Sequence, residues 1–164
     1  MTEQKMELQA EQTKVYVERV SAFLAQARAW CTERDLNVSG DSVELNEEHL
    51  PKYLAPTLHV STKDGVTVAR LVPRGSAIIG AHGRIDLIGH VTRHAFLFQI
   101  GKGPTISMKA IIHGKTTSES SRPMLSGVDG DGWYWMETAI GRAKHVDESL
   151  FMDLLTDASD YDFE

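Results

Sequence analysis

At 164 residues, with 41% hydrophobic and 24% charged side chains, the chain is long enough to bury one substantial core and too apolar to be disordered. Its single cysteine, Cys31, excludes an intrachain disulfide and favours a reducing, cytoplasmic setting; the first residues lack the apolar stretch of a signal peptide, and no run reaches the roughly 20 apolar residues of a membrane helix. The formal charge of −6 conceals a segregation: residues 66–122 hold eight Lys/Arg against two Asp/Glu, whereas residues 1–65 sum to −4 and residues 123–164 to −8.

Residues 7–34 contain neither Gly nor Pro, and Tyr16, Val20, Phe23, Leu24, Ala27, Trp30 and Cys31 recur at steps of three and four. That spacing predicts one long amphipathic helix, with the polar first dozen residues fraying and Cys31 packed in the core. Asn46-Glu-Glu-His-Leu reads as a capped second helix that Pro56 ends, and residues 37–45 as a strand around Val43 or a loop.

From Thr57 the period changes to two. Leu58 and Val60 lead into Lys63-Asp64-Gly65, a hairpin turn, and residues 66–72 return as its partner, with Pro73-Arg74-Gly75 ending that run. Further strands are expected at residues 78–79, 84–89, 95–100 and 105–112, then a mobile Ser/Thr-rich loop at 115–123. Asp129-Gly-Asp-Gly turns into the aromatic strand Trp133-Tyr-Trp-Met, and Asp147 caps a final helix holding Leu150, Phe151, Leu154 and Leu155. The fold class that follows is α+β, one domain over residues 1–164. An antiparallel meander of about five to seven strands carries the N- and C-terminal helices on one face, and the acidic tail, 157–164, is mobile.

Tight central turns would place Ile85, Leu87, Phe96, Phe98, Ile106, Met108, Ala110 and Ile112 on the core face. The opposite face would then display Arg84, Asp86, Ile88, Leu97, Lys109, Ile111 and His113, a mixed surface that reads as the binding face. Arg70 breaks this parity, which calls for a bulge or an edge position.

Two chemistries compete on that surface. His59 and His113, with Lys109 and Asp86, are the residue types of a metal-independent RNA-cleaving site: one imidazole as base, the other as acid, a cation on the phosphate. As a whole the basic block also suits a nucleic-acid backbone, although Phe96 and Phe98 face the core and supply no stacking platform. The preferred expectation is a non-enzymatic protein, immunity-like or an accessory subunit, that recognises a protein partner through the mixed face or the acidic ends. Ile88, Leu97 and Ile111 leave room for a homodimer. Neither a metal site nor a cofactor is expected: His90 and His94 fall in a turn where their spacing has no ligating geometry, and Gly80-Ala-His-Gly-Arg lacks the residues of a phosphate loop.

Overall fold

The computed structural model describes residues 2–162. Helix α1 runs from Glu3 to Glu33, its first turn capped by the Thr2 hydroxyl, which accepts from the Lys5 N–H. Gln9 is buried and donates to the His49 carbonyl, so the polar start of the helix is pinned to a neighbouring loop. Nine strands follow: β1 (Asn37–Leu45), β2 (Tyr53–Ser61), β3 (Thr67–Gly75), β4 (Arg84–Gly89), β5 (Arg93–Gln99), β6 (Thr105–Ile112), β7 (Lys115–Pro123), β8 (Gly132–Glu137) and β9 (Arg142–His145). Helix α2, Glu148–Ser159, closes the order, with the Asp147 carboxylate accepting from the Leu150 N–H at 2.8 Å as its cap.

The fold is α+β. Seven strands form one antiparallel sheet in the order β1-β2-β3-β4-β5-β8-β9, and β6 and β7 form a second sheet of their own. Both helices lie on one face of the large sheet, where Phe23 of α1 meets Phe96, Trp133 and Phe151 at centroid distances of 5.4, 5.8 and 6.4 Å. Such edge and tilted contacts add about 0.5–1.5 kcal/mol per pair beyond the apolar area they bury. Tyr16, midway along α1, is fixed to the sheet: its hydroxyl donates to the Arg84 carbonyl at 2.6 Å and accepts from the Gly75 N–H at 3.0 Å. At the C-terminal end the Ala158 carbonyl receives the N–H groups of Val91 and Thr92, so the β4–β5 turn seats α2 on the sheet.

The sheet departs from the expected meander at β6. Its place beside β5 is taken by β8, with Phe96 opposite Trp135 and Phe98 opposite Trp133. Burial decides this: β8 brings two tryptophans to the helix-covered face and Tyr134 to the other, more apolar surface than Ile106, Met108 and Ala110 offer. The backbone enforces it, because Gly101 and Gly103 both adopt positive φ and the Gly101 N–H donates to Asp131, turning the chain out of the sheet. Ile106, Met108, Ala110 and Ile112 are therefore not core residues; Met108, Ala110 and Ile112 are exposed on the hairpin. Residues 115–123, expected to be a loop, are its second strand.

The short helix expected after Asn46 is also absent. His49 has φ of 67°, which no α-helix tolerates, and Pro56 lies inside β2. Glu47 supplies the reason: its carboxylate accepts from Tyr53, from the Ser76 N–H at 2.8 Å and from the Ala77 N–H at 2.7 Å, tying this segment to the loop after β3. The 78–79 strand reduces to a single bridge between Ile78 and Ala81.

A bulge resolves the parity of Arg70. Val60 pairs with Ala69 and Ser61 with Thr67, so Val68 is the extra residue; Val68, Ala69 and Leu71 face the core while Arg70 and Val72 turn outward.

Candidate functional site

The face of the large sheet opposite the helices is partly covered by the chain itself. Residues 124–131 cross its β8–β9 end, where Val128, Tyr134 and Ala143 form a small second core with Leu125 and Met136. Tyr134 fastens that loop by accepting from the Asp129 N–H and donating to the Gly130 carbonyl. Trp133 and Trp135 belong to the helix-side core, so neither half of the aromatic strand is a free anchor.

Over β2 to β5 the face is open, and its cross-strand rows are readable from the register. One row is Ser39, His59, Arg70, Ile88, Arg93; the next is Val72, Asp86, Ala95; the third is Arg84, Leu97, Tyr134. Arg74, following Val72 by two residues, points the same way. Arg70, Arg74, Arg84 and Arg93 thus gather on one surface, interleaved with Val72, Ile88, Ala95 and Leu97. A cleft of about 450 Å³ adjoins them over β1 to β3, lined by Ser39, Val43, His59, Arg70 and Val72.

At the centre of this face stands Asp86, 2% exposed. Arg84 Nε donates to its Oδ1 at 2.7 Å, and Arg74 Nε to its Oδ2 at 3.0 Å, with Arg84 Nη2 a further 3.4 Å from Oδ2. A buried carboxylate is costly unless its oxygens are paired, and here both are. The two guanidinium groups are not buried with it; their side chains remain 42% and 40% exposed.

The structure separates the other predicted site residues. Arg84, Asp86, Ile88 and Leu97 share the open face, whereas Lys109, Ile111 and His113 lie on the β6–β7 hairpin, which pairs only with itself. Lys109 sits 3.9 Å from Glu119 across that hairpin, and His113 occupies its turn with φ of 52°. His59 is on the open face, bonded to the Thr67 hydroxyl at 3.2 Å. With His59 and His113 on different sheets and both Asp86 oxygens engaged by arginines, the acid, base and cation of an RNA-cleaving centre do not converge.

His94 lies on the helix side, where it contacts Asp157 of α2 at 2.7 Å through Nε2 and accepts from Trp135 Nε1 at 3.3 Å through Nδ1. Asp157 therefore belongs to α2 and not to a free tail. Tyr161, beyond the Asp160 cap, reaches a cleft it shares with Arg70 and Ile88; Phe163 and Glu164 of the expected acidic tail lie outside the described residues. Burial pushes the Cys31 thiol up to about 12, in keeping with its place in the core. No helix among the described residues is long and apolar enough to cross a membrane.

The chain matches no known protein family, curated protein or solved structure. Geometry alone carries its reading.

The sequence missed Glu47 and Arg74 as organising residues. Spacing places the first in a helix turn and the second at the end of a strand. Arg74 is itself the extra residue of a second bulge, in which Pro73 pairs with Ile85 and Gly75 with Arg84 beside Asp86, and bulges leave little trace in composition.

Proposed function

We propose that this is a non-enzymatic protein-recognition module whose open sheet face docks an acidic segment of a partner protein. The observation that carries the reading is the gathering of Arg70, Arg74, Arg84 and Arg93 on one surface of a chain whose overall charge is −6. Net negative charge repels an acidic partner in general, so such a partner approaches productively only at this face, and orientation is selected before contact. Valine, isoleucine, alanine and leucine between the arginines supply the apolar contact that a protein surface returns and a phosphate backbone does not.

Nucleic acid is the competing ligand for any arginine surface. Single-stranded recognition draws on exposed aromatic faces. Tyr134 is the aromatic residue in these rows, and it is buried under the 124–131 loop. A protein partner therefore suits the face better. An accessory role follows, in a cytoplasmic setting.

Fluorescence anisotropy with labelled poly-L-glutamate and a labelled single-stranded RNA of equal charge, each at low and moderate salt, tests this. The expected result is salt-sensitive binding of poly-L-glutamate that Arg70→Glu/Arg93→Glu abolishes, with RNA bound more weakly. Preference for RNA, or poly-L-glutamate binding untouched by that charge reversal, would overturn the proposal.

A further inference from the structure

We infer that Arg74 and Arg84, held by Asp86, form a preorganised carboxylate anchor within the open face: the point at which one acidic side chain of the partner is gripped. The inference rests on the reading of that face as an acidic-segment surface, and it adds which two of its arginines carry specificity and how.

One guanidinium would neutralise Asp86; two leave the cluster with one net positive charge. Both arginines use Nε on Asp86, and Arg84 also uses Nη2. Neither Nη of Arg74 nor Nη1 of Arg84 has a hydrogen-bond partner among the described residues. These donors belong to planar forks whose other edge is already fixed, so a carboxylate meets them without the loss of rotamer freedom that an unsupported arginine incurs, about 2 kcal/mol for a free side chain. Asp86 is a positioning residue: it touches no partner and sets where the forks point.

The surroundings sharpen the site. Val72 and Ala95 flank Asp86 in its row, and Leu97 is opposite Arg84. These apolar neighbours keep water from the inner side of the ion pairs and lower the local dielectric, which strengthens charge-assisted bonds made there. Arg70 and Arg93 flank Ile88, four residues along β4 from Arg84, or about 13 Å at the usual strand rise. An extended segment with acidic residues at i and i+4 therefore reaches the anchor with one and the Arg70/Arg93 row with the other. The apolar residues at i+2 would lie against Val72 and Ala95.

The test separates fork geometry from charge. Arg74→Lys/Arg84→Lys keeps both positive charges and loses the forks; poly-L-glutamate affinity is expected to fall at least about tenfold, whereas Arg28→Lys/Arg34→Lys on the α1 side stays within about twofold. Asp86→Asn supplies an opposite-signed check: it makes the face more positive, so simple charge attraction predicts tighter binding, and an anchor that depends on positioning predicts weaker. On the unmutated protein, the Nε–Hε resonances of Arg74 and Arg84 should shift saturably as poly-L-glutamate is added, a readout that no folding defect can imitate. Binding by the wild type that survives Arg74→Lys/Arg84→Lys, with both Hε resonances unmoved, would remove the anchor and leave the face reading intact. Absence of any poly-L-glutamate binding by the wild type would remove both.

Discussion

Arg84 Nε and Asp86 Oδ1 lie 2.7 Å apart although the two residues belong to the same strand, separated by one position. Residues two apart in a strand share a face, so β4 carries its own ion pair, and Arg74 from β3 closes it from the other side. Removing Asp86 releases two half-exposed cations to water, while removing either arginine leaves the carboxylate one partner. Asp86→Ala should therefore cost about 1–3 kcal/mol, Arg74→Ala less, and Arg74→Ala/Arg84→Ala more than the sum of its parts. Urea unfolding of the wild type, these three variants and Arg84→Ala alone measures this.

The β6–β7 hairpin contributes little to the rest of the fold. Its base is closed by the Met124 N–H donating to the Pro104 carbonyl at 2.7 Å, so the two ends of the hairpin already meet. Replacing residues 105–123 with a two-glycine turn should leave far-UV circular dichroism consistent with an intact seven-stranded sheet and move the melting temperature by no more than about 4 °C, equivalent to roughly 1–2 kcal/mol at this chain length. Loss of cooperative melting would show that the hairpin supports the core.

Alkaline pH should unfold the protein through Tyr16. Burial chiefly, opposed by bonds to the Gly75, Arg74 and Arg84 backbone, pushes its pKa up to about 12 from an ordinary 10.0. Tyr53 shifts in the same direction, through burial and its bond to Glu47. A group whose folded pKa is raised contributes its stability fully below the unfolded value and loses it as pH rises toward the folded one. Stability should thus be level up to about pH 10 and fall between pH 10 and 12. Tyr16→Phe should lower stability at neutral pH by about 1–3 kcal/mol, through its unpaired backbone groups, and flatten the alkaline decline. Chemical denaturation across that range checks both halves.

Gly89 is required by contact, not by backbone angle. A Cβ there would come within 2.2 Å of the Ala158 carbonyl oxygen, the same oxygen that receives Val91 and Thr92. Gly89→Ala should push α2 off the β4–β5 turn at a cost of at least about 2 kcal/mol, and hydrogen exchange should report it as faster exchange in residues 151–158 while α1 stays protected.

Much of this architecture is written in spacing. The three- and four-residue steps of Tyr16, Phe23, Ala27 and Cys31 mark the buried stripe of α1, and the alternation of Ile85 and Leu87 with Phe96 and Phe98 marks the helix-covered face. What spacing does not encode is the choice between two strands of similar pattern. β6 and β8 both alternate, and β8 is taken because Gly101, Gly103 and Asp131 turn the chain aside and because tryptophan buries more than methionine or alanine. The basic block behaves in the same way: Arg70, Arg74, Arg84 and Arg93 collect on the open face, while Lys109, Lys115 and Arg122 leave with the hairpin. Charge along the sequence predicted a positive surface; strand exchange decided which cations belong to it.

Amide chemical-shift mapping during titration with poly-L-glutamate tests the recognition face most directly. Shifts concentrated at Arg70, Val72, Arg74, Arg84, Asp86, Ile88 and Arg93 are the predicted result; shifts confined to α1 or to residues 105–123, with β3 to β5 unmoved, would contradict it.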